Sequence, residues 1–407
     1  MTAVIELNDL ELSLYRGSER LYSEPGVAVV RPEELLFGEQ ALRLARVHPQ
    51  QANLQYFKRM NADPLTQPVK HAANHADLVY LHLKEIAGIS SDDVVLAVPG
   101  TMSGEQLGVL LGICQEAGID VSGFVNAAVA ATSTFPVPEQ VIYLDVFLQH
   151  VQVSELSVGT EVHHERSFEV RECGFTSLLD GWVNLVADRF VQETRFDPLH
   201  TAESEQQVYN QVYDWVVGAH HQSEVAIDIP HGDQRRRVEV PKTQLEQKAQ
   251  QRVDRLLDTL PGSGTLVLTA RAARMPGMAG RLKAAGYDVR LLTADAVAAG
   301  CNEHLGAIRT SEADLRLITR LPSQYEAAEI AATAPLVPTH LLHGHVARPL
   351  MQTPLASAFR EAGDGIWLRG GMEATLNGEA LTADRRLCLG DVIETGKGTY
   401  TAIRLER

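Results

Sequence analysis

The first third of the chain alternates short apolar runs with polar segments, at spacings that predict both strands and helices. Apolar and polar residues alternate over Ala3 to Arg16, which predicts a hairpin of two strands. Val94 to Val98 is a continuous apolar run that stops at a Pro-Gly pair, as a buried strand does. Helical spacing over Leu35 to Arg46 and over Ser103 to Gly118 predicts a helix in each segment. The pattern therefore predicts an α/β lobe.

The middle of the chain repeats this alternation of strand and helix patterns. Val141 to Leu144 predicts a buried strand, and the apolar face of Phe175 to Gln192 predicts a long helix. Farther on, Thr265 to Leu268 and Tyr287 to Leu292 predict strands on either side of a helix over Pro276 to Ala285. These elements predict a second α/β lobe.

The last part of the chain has short apolar runs divided by Gly and Asp. Asn377 and Gly378 lie between two such runs, and Asn-Gly is a strong signal for a β-hairpin. A run rich in Ala and Pro, Ala331 to Pro338, precedes this part as a linker would. We therefore predict two α/β lobes over residues 1–138 and 139–330, and a small all-β domain over residues 335–407.

Composition narrows the class of protein. Of the 407 residues, 45% are hydrophobic and 22% are charged, which is typical of a folded globular protein. We find neither an apolar run long enough for a membrane span nor a secretion signal, and expect a cytoplasmic protein without membrane insertion. The formal net charge of −16 disfavours nucleic acid as a partner. The four cysteines lie far apart, and we interpret them as small core residues.

Six ordered motifs in the two lobes resemble the ATPase domain of DnaK-type heat-shock chaperones. The chaperone stretch "vItVPAyF" is similar to VVLAVPG here, and "vlifDLGGGTFDVSiL" is similar to VIYLDVFLQHVQVSEL. In the order of the family, the six motifs begin at Leu36, Val94, Glu116, Val141, Leu266 and Ala294. The resemblance implies a two-lobed actin-like ATPase fold with mixed five-stranded-type sheets flanked by helices, and a nucleotide site between the lobes.

The first phosphate-binding loop of that family, "GIDLGTTNS", departs from its pattern in this chain. It corresponds to Val4 to Leu12, where Glu6 replaces the family's aspartate and both threonines and the loop glycine are missing. Asn8 and Asp9 stand in the loop instead. The carboxylates of Asp9 and Glu11 would repel phosphate, so this loop disfavours nucleotide binding.

The second phosphate-binding loop has lost its glycines. Phe147, Leu148 and Gln149 stand where the family has three glycines, which let backbone N–H groups approach an anion closely. His150 follows them. We therefore predict that Phe147 or Leu148 enters the cleft and fills the phosphate space, and we expect no bound cofactor.

Other family positions are partly retained. The adenosine-loop glycines correspond to Ala270 and Arg271, and the glutamate beside the metal corresponds to Ala127. Lys58 matches the lysine that positions the attacking water, and Asp145 matches the aspartate that opens the second loop. These two are the remnant catalytic candidates, although Lys58 is also explained as part of a solvated helix end. The candidates for cofactor contact are Glu6, Asn8, Asp9, His150, Ala270 and Arg271.

The end of the chain carries a second, shorter resemblance. Ala374 to Gly396 is similar to the closing hairpins of forkhead-associated domains, but that family's phosphothreonine-binding signature is missing upstream. We therefore expect a structural or docking β-domain and not a reader of phosphopeptides. His343 and His345 share a strand face, yet no acidic or cysteine ligand is near them in sequence, so we expect no metal site.

Three functions are compatible with these observations. The lost phosphate loops favour a DnaK-like, non-catalytic scaffold or adaptor for protein partners. The retained Lys58 and Asp145 favour the alternative of a divergent, chaperone-like ATPase that uses ATP and Mg²⁺. A third hypothesis is an actin-like or pilus-type cytoplasmic adaptor, because such proteins share the fold and also recruit partners.

Overall fold

The structure is a computed structural model that describes residues 2–70, 72–218, 223–231, 234–310, 315–324, 337–362 and 365–405. The chain divides into two units, Met1–Tyr325 and Glu326–Arg407. The boundary that we predict between residues 138 and 139 lies inside the first unit. Most of the predicted linker, residues 331–336, lies outside the described residues.

The first unit is a mixed α/β structure. Its first half contains β1 (Thr2–Glu6), β2 (Leu12–Arg16), β3 (Glu19–Glu24), β4 (Ala28–Val30), β5 (Leu35–Phe37), α1 (Gly38–Leu42), β6 (Ala52–Asn53), α2 (Tyr56–Arg59), β7 (Pro64–Val69), β8 (Ala72–Asn74), α3 (His75–Ala87), β9 (Asp93–Val98), α4 (Gly104–Ala117), β10 (Val121–Asn126) and α5 (Ala127–Ser133). Its second half contains β11 (Gln140–Val146), β12 (His150–Val158), β13 (Glu161–Arg171), α6 (Phe175–Thr194), α7 (Ala202–Val217), β14 (Glu224–His231), β15 (Gln234–Pro241), α8 (Lys242–Leu257), β16 (Thr265–Leu268), α9 (Ala270–Arg274), α10 (Met278–Ala284), β17 (Asp288–Leu291), α11 (Ala296–Glu303), α12 (Leu305–Ile308), β18 (Leu317–Ile318) and β19 (Arg320–Pro322).

Two six-stranded sheets of this unit share one topology. The first has the order β18-β10-β9-β1-β2-β3, and the second has the order β17-β16-β11-β12-β13-β19. In each, three consecutive strands form an antiparallel meander, and two later strands extend the sheet in parallel from the first strand of that meander. The meanders need only short turns, whereas the parallel strands need crossovers, which α4 and the α9–α10 segment supply.

A short segment near the end of this unit joins the two sheets. Leu317–Ile318 adds an edge strand to the first sheet beside β10, and Arg320–Pro322 adds an edge strand to the second sheet beside β13. Between them, the backbone carbonyl of Thr319 accepts a hydrogen bond of 2.9 Å from the His164 N–H. Leu321 is fully buried, so the segment is anchored by packing as well as by pairing.

A core of small side chains lies between the sheets. Val4 and Val95 of the first sheet and Val267 of the second pack in one cluster with the buried residues of α5, which include Ala127 to Ala131. These alanine and valine side chains fill little space, so both sheets approach the same helix closely. The loops that leave β1 and β11 are brought near one another by this arrangement.

Most of the predicted elements are present, with one clear exception. The predicted helix Ser103 to Gly118 is α4, with Ser103 in a capping box and Gly118 ending the helix at a φ of 80°. The predicted helix Leu35 to Arg46 is wrong in its first part, where Leu36 pairs with Val29 as a strand. Gly38, at a φ of 66°, separates that strand from the short α1.

The second unit contains only strands and short 3₁₀ turns among its described residues. The strands are β20 (His340–His343), β21 (Val346–Pro349), β22 (Phe359–Ala362), β23 (Gly365–Leu368), β24 (Ala374–Leu376), β25 (Glu379–Ala380), β26 (Arg385–Arg386), β27 (Val392–Thr395) and β28 (Gly398–Ile403). They form a six-stranded sheet, β21-β20-β28-β27-β24-β25, and a three-stranded sheet, β22-β23-β26. The predicted Asn-Gly hairpin joins β24 to β25, with φ values of 52° and 83° at Asn377 and Gly378.

Three further observations concern the cysteines, metal-binding clusters and membrane-crossing helices. Cys388 is exposed, so the prediction that all four cysteines are core residues is wrong at that position. Among the described residues, no cluster of three or more His, Cys, Asp or Glu side chains is arranged to hold a metal ion. Within the same ranges, no helix combines the length and the apolar character that a membrane crossing requires.

Candidate functional site

The loops that follow β1 and β11 face each other and are hydrogen-bonded together. Asn8 Nδ2 donates to Asp145 Oδ2 at 2.9 Å and to the Val146 carbonyl at 3.1 Å. In return, the Leu148 N–H donates to Asp9 Oδ1 at 2.7 Å. Asn8 Oδ1 also accepts from Leu10 N, which stabilises a turn in the first loop that asparagine favours. The candidates of the two loops therefore form one site.

Arg271 lies at the centre of this site, between two carboxylates. Its Nε donates to Asp145 Oδ1 at 3.1 Å, and its Nη2 donates to Asp145 Oδ2 at 2.8 Å and also to Glu6. Thr269 Oγ1 adds a bond of 2.7 Å to the same aspartate. The Asp145 carboxylate thus accepts four hydrogen bonds, counting that of Asn8, so its lone pairs are occupied.

The three charged groups of this cluster are almost completely removed from water. Arg271 is 5% exposed, Asp145 is 3% exposed and Glu6 is 2% exposed. Burial alone would lower the pKa of Arg271, but the carboxylates of Asp145 and Glu6 hold it well above its usual value. Burial raises the pKa of Glu6, although Arg271 opposes this effect. The guanidinium therefore stays charged and serves as the counterion of both carboxylates.

Asp9 is a second buried carboxylate at the tip of the first loop. Burial raises the pKa of its carboxyl to about 7, a rise that the Leu148 N–H and Lys58 oppose and that Asp145 and Glu169 reinforce. A backbone N–H of the second loop is thus already bound to an anion that the protein itself supplies.

The loop after β11 is also pinned from its other side. Its carbonyls at Phe147 and Leu148 accept from the first N–H groups of α6, Phe175 N and Thr176 N, each at 2.9 Å. Gly174 precedes these residues, and a Cβ there would lie 2.2 Å from the His150 nitrogen. Only glycine allows this close approach, so helix α6 fixes the conformation of the loop.

A small cavity remains beneath the two loops. Its volume is about 70 Å³, which is roughly the space of two water molecules. Phe147 lines it and stacks on His150, with ring centroids 4.7 Å apart, whereas Leu148 is fully buried in the hydrophobic core. Of the two apolar side chains that we predict to enter the cleft, Phe147 is the one that reaches this cavity. Burial lowers the pKa of His150 to about 4.

Lys58 crosses the cavity and does not form a solvated helix end. Its Nζ donates to Glu169 Oε2 of β13 at 2.5 Å and lies 3.5 Å from His150 Nδ1. The Lys58 and Glu169 side chains are 29% and 23% exposed. The interpretation of Lys58 as a solvated residue is therefore wrong, because its ammonium pairs with a residue of the second sheet.

We expect Lys58→Met to lower the free energy of unfolding by about 0.5–1 kcal/mol, the range of a partly screened ion pair. Urea denaturation of Lys58→Met, Glu169→Gln and the double variant measures the coupling energy directly, and we expect about 0.5 kcal/mol. Strictly additive effects of the two substitutions would mean that the contact contributes nothing.

Two members of the site were not identified from the sequence. Thr269 caps α9, because its hydroxyl oxygen accepts from Ala272 N, and the same hydroxyl donates to Asp145. A threonine directly before a helix is the sequence signal for such a cap. Glu169 lies within a long alternating strand, where nothing in the sequence marks it as the partner of Lys58. Ala270, which we included as a candidate, is half-buried and brings no polar side chain to the site.

The groups around Asp145 do not fit a bound Mg²⁺ ion. Magnesium needs free carboxylate oxygens and room for several waters. Here the oxygens of Asp145 already accept bonds from Asn8, Thr269 and Arg271, and the adjoining cavity is only about 70 Å³. The site therefore does not fit a nucleotide bound together with a metal ion.

Comparison with models of protein families finds none that matches this chain, and comparison with curated proteins finds no significant match. The resemblance to DnaK-type ATPase domains remains a prediction that depends on the six ordered motifs.

Proposed function

We propose that this protein is a DnaK-like, two-lobed actin-fold scaffold that recruits protein partners without binding or hydrolysing ATP. The observation that carries the proposal is the buried Arg271 guanidinium between Glu6 and Asp145. In the family that the chain resembles, the corresponding region holds a nucleotide and its metal. Here the cation and the anion come from the protein's own side chains.

The repeated topology supports the fold part of the proposal. Both six-stranded sheets of the first unit contain a three-stranded meander extended by two parallel strands, as the two lobes of an actin-like fold require, and each has one further edge strand. The loops after β1 and β11 occupy equivalent positions in the two repeats. They are therefore the pair of loops that such a fold would use around phosphates.

The free-energy cost of displacing the protein's own side chains supports the proposal that the site does not bind nucleotide. Phosphate binding at the second loop would displace Asp9 from the Leu148 N–H, and metal binding would displace Arg271 from Asp145. Breaking a buried ion pair costs about 3–5 kcal/mol, so nucleotide would have to offset this cost before gaining affinity. The cavity of about 70 Å³ is also far below the roughly 300–1,000 Å³ of small-molecule sites.

The actin-like or pilus-type adaptor remains a closely related proposal, because it shares the fold and the recruitment of partners. It differs in requiring a repeated head-to-tail contact between copies. Light scattering that rises steeply with protein concentration would support that version over a scaffold that acts without polymerising.

Titration calorimetry with Mg-ATP tests the central proposal. We expect no saturable heat up to about 1 mM nucleotide, which places the binding free energy weaker than about −4 kcal/mol. A dissociation constant below about 10 μM, together with phosphate release, would instead support the divergent ATPase built on Lys58 and Asp145.

A glycine-restored variant separates the loop side chains from the ion cluster. Phe147→Gly, Leu148→Gly and Gln149→Gly together remove the side chains, but they leave Asp9 and Arg271 in place. We expect that this variant, like the native chain, shows no saturable binding of Mg-ATP. Tight binding by it would show that the loop side chains alone exclude nucleotide, and that the ion cluster is not the cause.

A further inference from the structure

A second, larger pocket opens beside the loop that follows β11, on the opposite side from the small cavity. Its volume is about 460 Å³, within the range of roughly 300–1,000 Å³ that is typical of small-molecule sites. One wall comes from the segment between α1 and α3, and the other comes from the first turns of α6 and from α7. The two cavities share no lining residue. The pocket is therefore a separate feature of the fold.

The walls of this pocket are tied together by an internal clamp. Arg46 donates to Asp180 at 2.5 Å and lies 3.9 Å above the ring of Tyr209. The Tyr209 hydroxyl also donates to Asp180. The only carboxylate that lines the pocket among the described residues is thereby neutralised, so it does not repel an anion.

Three amide side chains line the pocket, those of Asn53, Gln55 and Gln149. Asn53 Oδ1 accepts from Gln55 N at 3.0 Å, so this amide can serve a ligand only through its N–H groups. Gln149 Oε1 lies 3.4 Å from Thr176 Oγ1, whose single proton goes to the Leu148 carbonyl at 2.8 Å. Each of these amides carries two N–H donors that can bind an anion.

Arg59 supplies a positive charge at the rim. It is exposed and forms no ion pair with any residue of the described ranges. Its guanidinium is therefore available to pair with the anionic group of a ligand. The apolar part of the lining includes Leu54, Phe175 and Leu179, which suit a hydrophobic ligand body.

We propose that this pocket binds a small organic anion, a carboxylate or phosphate monoester with an apolar body, with Arg59 as its counterion and the amides of Asn53 and Gln149 as additional donors. The proposal does not depend on the scaffold function, because the pocket lies outside the ion cluster around Arg271. Ligand binding there would join the walls of the pocket, which come from the two halves of the first unit.

Phenyl phosphate and phenylacetate are suitable probes, and benzyl alcohol is the neutral comparison. We expect saturable binding of at least one anion by calorimetry of the full-length protein, with a dissociation constant at or below about 1 mM. Arg59→Ala should weaken this binding about ten-fold or more, because a charge-assisted contact is lost. Gln149→Ala should weaken it less.

Arg235→Ala is the matched control, since Arg235 is also exposed and also has no ion-pair partner among the described residues, but lies on β15 away from the pocket. We expect this variant to bind the probes as the native chain does. The proposal is overturned if neither anion binds with a dissociation constant below about 10 mM, if Arg59→Ala binds equally well, or if benzyl alcohol binds as tightly as the anions.

Discussion

Replacing Arg271 with Met should destabilise the first unit by about 3–5 kcal/mol, the cost expected when one partner of a buried ion pair is removed. The substitution leaves the carboxylates of Glu6 and Asp145 in a region where each is at most 3% exposed. Asn8 and Thr269 still donate to Asp145, but neither carries a charge. Urea denaturation at neutral pH, followed by circular dichroism, measures the loss.

Two further variants decide whether charge is the reason. Arg274→Met is the matched control, because Arg274 lies on the same short helix, is 27% exposed and pairs with Glu11. We expect it to cost less than about 1 kcal/mol, as partly exposed pairs do. Adding Glu6→Gln and Asp145→Asn to Arg271→Met should recover part of the lost stability. No recovery would mean that Arg271 stabilises the unit by packing and not by neutralising the carboxylates.

The regular elements of the fold follow from local patterns in the sequence. Val94 to Val98 and Thr265 to Leu268 are continuous apolar runs, and both are buried parallel strands in the structure. Helix α6 extends two residues beyond the predicted Phe175 to Gln192 and ends at Arg195, which has a φ of 59°. Such elements were predictable because their burial pattern repeats within a few residues.

Short elements were not predictable from the period of their apolar residues. Leu35 to Phe37 has helical spacing but forms a strand, because it pairs with the neighbouring strand β4 and Gly38 interrupts the helix. Leu317–Ile318 and Arg320–Pro322 are only two and three residues long, so no period can be read from them. Their structure comes from the edges of two sheets formed elsewhere in the chain.

The sequence shows which phosphate-binding glycines are missing from the site, but it does not show which side-chain contacts replace them. The missing glycines at Phe147 to Gln149 are visible in the sequence and point correctly to an altered loop. The partner of Asp145, in contrast, is Arg271, which is 126 positions away, and the partner of Leu148 N is Asp9, 139 positions away. The resemblance placed these residues around one nucleotide site, but nothing in the sequence showed that they pair with one another, because ion pairs over such separations depend on the tertiary fold.

Asp9→Asn should stabilise the protein at slightly alkaline pH, with the largest gain above about pH 8. Burial raises the pKa of Asp9 from its usual 3.8 to about 7, so between these values the folded state binds a proton that the unfolded state has released. Stability contributed by Asp9 therefore falls as pH rises through 7. At about 1.4 kcal/mol for each pKa unit, the full loss is on the order of 4 kcal/mol.

Asparagine removes this titration but keeps an oxygen that accepts from Leu148 N. The difference between variant and native stability should therefore grow as pH rises from about 4 to about 7, where only the unfolded chain has released the proton, and should level off above about pH 8. Two buried histidines act in the opposite direction: burial lowers the pKa of His82 to about 3 and of His150 to about 4, and their contribution is lost only as pH falls below 6.5. Both histidines are present in the variant and in the native chain, so their contribution cancels in the difference. Asp197→Asn is the control, because it replaces an exposed carboxylate that also accepts from a backbone N–H, at Leu199. A flat difference for Asp9→Asn would mean that the Asp9 carboxyl ionises as it does in the unfolded chain, and that burial beneath the second loop does not oppose its charge.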